Sequence, residues 1–251
     1  MHKKVDVNEF ISEFQHSLLF EHLSFQNTQE ILNKSFTETV YEGEYLIHEG
    51  DQPEYLFFII EGALITYRTN DSGNEVSIRL LGSGESCMDA VIFMGSQESP
   101  IGVKATVAST VLKIPTDVIK KYVHTNHALA ENMLSTVAKY YGESLIQIGE
   151  LAIEDSKSSV AHYLLREFIN SNKHEPSFVL RFKKTIIANY LGIKPETLSR
   201  MLKELKQDGL IAIKGEKIIL KDAFSLCDYC NPLTKIACAG SCSIDCSKRP
   251  K

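Results

Sequence analysis

Five thiols and one amphipathic run hold the residues of this chain that could do chemistry. Cys227, Cys230, Cys238, Cys242 and Cys246 crowd the last 25 residues, while the sixth cysteine, Cys87, stands alone. The spacing is Cys-x2-Cys-x7-Cys-x3-Cys-x3-Cys. Thiolates are soft donors, and clusters of them select zinc or iron–sulfur groups. A Cys-x2-Cys pair can close on one metal or occupy two corners of a cubane. Structural zinc takes four tetrahedral ligands, often as two such pairs. One pair followed by three spread thiols suits a [4Fe–4S] cluster at least as well. Thiol–disulfide sensing is a third use, and spacing does not fix which four thiols would bind. Cys87 reads as a buried apolar residue. His48, His124, His127, His162 and His174 show no ligand spacing.

The amphipathic run is Lys194 to Leu205. Pro195 suits a first helical position, where its missing N–H would have no partner anyway. Leu198, Met201, Leu202 and Leu205 fall on one face at i, i+3, i+4 and i+7. Glu196, Ser199, Arg200 and Lys203 fall on the other, with Thr197 beside them. Arginine pairs bidentately with guanine, a carboxylate accepts from cytosine N4, and serine suits several base edges. An ordinary solvated helix face has the same look, so the surroundings decide. Thr185 is placed to cap a preceding helix, Ile186–Leu191, and Gly192 makes the turn. After Gly209, Leu210–Ile213 and Ile218–Leu220 form a hairpin across Lys214-Gly-Glu-Lys217. That is a winged helix-turn-helix. From Ser177 to Asp222 ten basic residues oppose five acidic ones, net +5 within a chain of net −5. A basic patch on an acidic protein suits phosphate binding.

The elements upstream must carry and regulate this reader. Residues 1 to about 36 read as helical, packing on the next domain. From Val40 to Pro115 short apolar runs alternate with Gly50, Gly62, Gly73 and Gly84, the pattern of an antiparallel sandwich or barrel. From Thr116 to Ile153 the period is helical. There Leu134, Ala138, Tyr141, Leu145, Ile148 and Ala152 make a heptad seam, which points to a homodimer. Asp155–Ser159 reads as a hinge, and Val160–Ile169 as one more helix. The expected organisation is α+β: a β-roll sensor domain with leading helices (1–115), a dimerisation helix (116–154), a winged helix-turn-helix (155–222) and a cysteine-rich tail (223–251). No apolar run approaches a membrane span, and Met1-His-Lys-Lys4 leads into mixed sequence without a secretory signal. A cytoplasmic protein is expected. No Gly-x-Gly-x-x-Gly or Gly-x-x-x-x-Gly-Lys-[Ser/Thr] motif is present, so an enzyme is not; an electron carrier using the tail is the alternative from another class.

Gly43-x-x-Leu46-x-x-x-x-Gly50, Leu56-Phe-Phe-Ile-Ile-Glu-Gly62 and Glu196-Thr-Leu-Ser-Arg200 resemble the CRP/FNR family of bacterial transcription regulators over residues 20–222. The resemblance implies a dimer on a palindromic DNA operator, with RNA polymerase as partner. The Glu-x-x-Ser-Arg arrangement is that of FNR-type members. By it Glu196, Ser199 and Arg200 would read a TTGAT-like half-site. Cyclic-AMP-binding members use a Gly-Glu pair and an Arg-Ser pair. Here Met88-Asp89 and Ser99-Pro100 stand in their places, so cyclic AMP is not expected. FNR itself holds its cluster on N-terminal cysteines, and residues 1–86 contain none. The tail instead resembles the Bacillus-type FNR arrangement. That likeness implies a C-terminal cluster, with Glu150 nearest to the position of its carboxylate ligand. A regulator gated by another small molecule in the β-roll, with zinc in the tail, is the alternative within the family; a haem sensor is a further one.

Overall fold

The structure, a computed structural model, describes residues 3–4, 14–95, 97–153, 155–170 and 177–229. The chain forms two compact units, 1–141 and 142–251.

The first unit is built on two antiparallel sheets. One runs β1-β2-β9-β4-β7, from Lys3–Lys4 (β1), Phe36–Val40 (β2), Ser109–Pro115 (β9), Tyr55–Glu61 (β4) and Ser86–Cys87 (β7). The other runs β3-β8-β5-β6, from Tyr45–Ile47 (β3), Gly102–Ala105 (β8), Ala63–Thr69 (β5) and Glu75–Gly82 (β6). Leu56, Phe57, Phe58 and Ile59 of β4 are buried one after another, so both faces of that strand are covered. They share one core with Leu64, Leu81 and Val103 of the other sheet. Gly62 turns β4 into β5 with φ +103°, and a Cβ there would run into Ser109. That turn requires glycine on both counts.

The leading segment packs on this core through Phe14, Leu19, Phe20 and Leu23. Phe14 and Phe20 stack with centroids 3.7 Å apart. Helix α1, Phe25–Asn33, adds Ile31 and Leu32 and is capped by Ser24, whose hydroxyl accepts from Asn27 N–H. The expectation of an all-helical start is corrected at Lys3–Lys4, which pair with Thr37 and Phe36 as an edge strand. Two lysines carry no periodicity to read, and ladder bonds are made by backbone alone.

The expected single helix over 116–154 is two: α2, Thr116–Thr125, and α3, His127–Ile153. Asn126 parts them. Its backbone is extended (φ −125°, ψ 109°), and its side chain accepts from Leu129 N–H at 3.0 Å, so it ends one helix and caps the next. Along α3 the heptad positions stand in solvent: Leu134 is 70 % exposed, Tyr141 65 %, Leu145 43 % and Ile148 62 %.

The second unit continues with α4 (Ser156–Asn170), β10 (Ser177–Val179), α5 (Lys184–Tyr190), α6 (Pro195–Gln207), β11 (Ile211–Lys214), β12 (Lys217–Leu220) and α7 (Ala223–Asp228). The hinge expected over 155–159 is mostly the first turn of α4. Asp155 accepts from the backbone N–H of Lys157 and Ser158 at 2.8 and 2.9 Å. The polar run is thus an N-terminal cap, a use serine and aspartate share with loops. The wing hairpin gains a third strand, giving the order β10-β12-β11.

Candidate nucleic-acid interface

Helix α6 begins at Pro195, with Lys194 extended at the cap position, and ends at Asp208. Its apolar face, Leu198, Met201, Leu202 and Leu205, is buried. Glu196, Ser199, Arg200 and Lys203 lie together on the exposed face, and Thr197 is half-buried at its flank. Arg200 Nε stands 4.0 Å from Glu204 Oε1, one helical turn on. An exposed pair of this length holds the guanidinium weakly and leaves it able to exchange partners.

Helix α5 starts two residues earlier than Thr185 capping would require. Lys183 takes the extended cap backbone and no side chain caps the helix, so Thr185 is an exposed helical residue. The turn into α6 is closed by Gly192 at φ +65°, with Ile193 N–H donating to Ala188 O at 3.0 Å. A left-handed glycine is the usual way to stop a helix so abruptly.

Behind these helices lies a polar network that sequence reasoning missed. Arg166 donates to the Tyr190 hydroxyl at 2.9 Å, and Gln147 donates to the Tyr190 carbonyl at 3.3 Å. These bonds tie the end of α5 to α4 and α3. Glu167, 5 % exposed, takes two bonds from Arg181 at 3.0 Å each. Arg181, counted in the basic patch, is therefore committed to the fold. His162 is 4 % exposed, and burial, helped by the charge of Arg166, pushes its pKa down to about 4. A histidine at i and an arginine at i+4 within the apolar run Val160–Ile169 was the signal available.

At the wing tip, Gly215 and Glu216 make a two-residue turn, and Lys214 and Lys217 face each other across the strands, both exposed. Like charges directly opposite destabilise a hairpin. The same arrangement presents two cations to an anion.

Two family models match the chain: "Cyclic nucleotide-binding domain" over residues 37–126 and "Crp-like helix-turn-helix domain" over residues 159–229. The cAMP-activated global transcriptional regulator CRP of Salmonella typhimurium is 24 % identical over 177 residues, 70 % of this chain and 84 % of that protein. The transcriptional activator protein anr of Pseudomonas aeruginosa is 23 % identical over 189 residues, 74 % of this chain and 77 % of that protein. The solved structure of FixK2 from Bradyrhizobium japonicum shares the fold, with a TM-score of 0.71 at 18 % identity, over 78 % of this chain and 98 % of that one. The chain belongs to the CRP/FNR family of DNA-binding transcription regulators.

In this CRP/FNR regulator the β-roll cassette has its own chemistry. Met88 sits at φ +73°, a backbone that favours glycine. Asp89 is 1 % exposed, and burial pushes its pKa up against the lowering effect of Ser86 and the Arg79 charge. The Arg79 guanidinium lies 3.4 Å from the centroid of the Tyr140 ring, and the Tyr140 hydroxyl donates to Ser86 O at 3.1 Å. Ser99 turns its hydroxyl onto Ile101 O at 2.6 Å and its N–H onto Asp51 O at 2.8 Å. With proline next, that corner offers an anion neither a cation nor an unused N–H from residues 99 and 100.

Of the five tail cysteines, Cys227 lies on α7 and is half-buried. Cys230, Cys238, Cys242 and Cys246 lie outside the described residues, as does the side chain of Glu150. Helix α7 is capped by Asp222, which accepts from Ser225 N–H at 2.9 Å, and is anchored by the fully buried Leu226. Cys87 is buried in the β-roll core, where desolvation pushes its thiol pKa well up. No helix among the described residues is long and apolar enough to cross a membrane.

Proposed function

We propose that this regulator is a homodimer reading a palindromic operator with TTGAT-like half-sites, and that a [4Fe–4S] cluster on four tail thiolates sets its DNA affinity. Glu196, Ser199 and Arg200 act as the base readers, with Thr197 and Lys203 beside them. The observation that carries the reading is the exposed face of α6, where these groups stand in solvent above a buried apolar face. Readers of this kind work as twofold dimers on half-sites about one helical turn apart. The exposed row Leu134, Tyr141, Leu145 and Ile148 supports that, because a heptad row left in water calls for a matching helix. RNA polymerase is the partner of such a dimer once it sits on an operator.

The donor set fits the group. Five thiolates lie within one short segment, and Cys227 is held at the end of a capped, anchored helix with its side chain partly accessible. A bound cluster would supply a centre sensitive to oxygen and redox state. The chain's own part is to hold the thiols and pass their arrangement to the recognition helix. Cyclic AMP is not the effector in this reading, because residues 99 and 100 lack a phosphate partner. No catalytic step is assigned.

A second reading rests on one observation, the buried Asp89 with Arg79 and Tyr140 beside it. A small molecule other than cyclic AMP could exchange for those contacts in the β-roll, with zinc folding the tail.

Anaerobic purification with iron, sulfide and zinc analysis separates the two. About four irons per chain and a broad band near ~400 nm are expected for a cubane on thiolates, with operator binding that changes on air exposure. One zinc in a colourless protein moves the signal to the β-roll.

A further inference from the structure

In the second unit three helix ends meet at Lys157. It lies in the first turn of α4, where Asp155 fixes its backbone N–H at 2.8 Å. Its ammonium donates to Asp208 Oδ2 at 2.6 Å, and Asp208 is the residue that ends the recognition helix α6. The same ammonium lies 5.5 Å from the centroid of the Tyr229 ring, and Tyr229 is the residue that ends α7. A second tie joins the same two ends: Lys221 and Asp222, just before α7, both donate to the carbonyl of Leu210, just after α6.

We infer that Lys157 is a positioning residue through which the cysteine-bearing segment sets the end of the recognition helix. Three physical points lead there. A carboxylate at a helix C-terminus faces the negative end of the helix dipole, so Asp208 needs a cation to stay in place. A cation over an aromatic face is held by the ring quadrupole, so Lys157 answers to the position of Tyr229. Tyr229 lies between Cys227 and Cys230, so any group that closes on that Cys-x2-Cys pair fixes the backbone on both sides of the ring. The Lys157 and Asp208 side chains are 24 % and 44 % exposed. A pair that open to solvent contributes little fixed stability, which suits a contact made and broken between two states better than one that holds the fold.

The inference rests on the proposal that the tail binds a metal group, and its test separates the two. Full-length protein is purified anaerobically and stripped with ferricyanide and EDTA. Amide exchange of residues 205–210 and affinity for a duplex with two TTGAT half-sites are measured before and after. In the wild type, stripping is expected to change affinity by about 5-fold or more and to speed exchange at the end of α6. Lys157→Met is expected to keep the same metal content while the change in affinity falls below about twofold, and Lys157→Arg to restore it. A wild-type response in Lys157→Met overturns the inference and leaves the tail proposal standing. Protein that carries no metal removes the tail proposal instead. The node is then decided by Tyr229→Leu, for which faster exchange at 207–210 is expected and unchanged exchange overturns the inference.

Discussion

Along α6, Glu196, Ser199, Arg200 and Lys203 stand in solvent, whereas in the β-roll Asp89 is 1 % exposed with Arg79 and Tyr140 against it. Both regions are rich in charge, but the charge is used differently. An exposed charge pairs weakly with its neighbours and keeps its partner open for exchange. A buried one is bound to its surroundings by the desolvation that removing the partner would leave uncompensated. The DNA-reading end of the chain therefore behaves as surface chemistry laid on a packed helix. In the cassette the charge is enclosed by the fold, with Asp89 buried beside Arg79.

The largest effect should come from breaking the buried side of this contrast. Arg79→Ala removes the cation near Asp89 and the partner of the Tyr140 ring. A cost of about 3 kcal/mol is expected, about 2 of it from the lost cation over a desolvated ring and the rest from the buried Asp89 left without a nearby positive charge. The urea midpoint of unfolding measures it. Adding Asp89→Asn should recover the Asp89 share of the loss, since the orphaned carboxylate is then gone. Failure of that second substitution to help would mean Asp89 is not the group that Arg79 balances.

The second unit carries the same contrast within itself, because His162 is buried on α4 while Glu196, Ser199, Arg200 and Lys203 are exposed on α6. Its pKa is about 4 in the folded chain against an ordinary 6.5. The unfolded chain takes up a proton that the folded chain refuses, so this contribution is complete above pH 6.5 and is lost as pH falls toward 4. A gap of that size is worth about 3 kcal/mol over the whole window. His162→Gln should flatten the stability–pH curve between pH 6.5 and 4 relative to the wild type. Parallel curves would place the acid sensitivity in other groups.

How far the sequence could be read follows the same divide. The amphipathic split of α6 was legible because four apolar residues at helical spacing can only face inward, which leaves Glu196, Ser199, Arg200 and Lys203 outward. The β-roll strands were legible from the glycines between them, Gly62 above all. The break at Asn126 was not, since an asparagine inside a periodic run carries no fixed sign of capping until its backbone is seen to be extended. Nor was the commitment of Arg181 to Glu167. Counting charge along the chain cannot tell a cation facing phosphate from one bonded to a carboxylate fourteen residues earlier. The partners of Tyr190 and Lys157 were invisible for the same reason, because they are far apart in sequence.

Arg200→Ala tests the exposed side directly. A loss of about 1–3 kcal/mol in operator affinity is expected, with relaxed preference at one base pair and an unchanged urea midpoint. The last point sharpens the comparison. Arg79→Ala should move stability, while Arg200→Ala should move only binding. A footprint on selected operators identical to the wild type would remove Arg200 from the base readers.

The smallest effect should come from the wing. Lys214 and Lys217 are cross-strand neighbours, and their mutual repulsion works against the hairpin. Lys214→Ala should leave folding unchanged or raise stability by a few tenths of a kcal/mol, within about 1 kcal/mol at most. Binding should weaken to a similar degree on every DNA sequence, and the slope of log affinity against log salt should fall by about 1 if the ammonium meets a phosphate. Affinity measured between 50 and 200 mM salt, on one specific and one random duplex, reads both quantities. A sequence-dependent loss would make the wing a base reader. An unchanged slope would mean that Lys214 meets no phosphate.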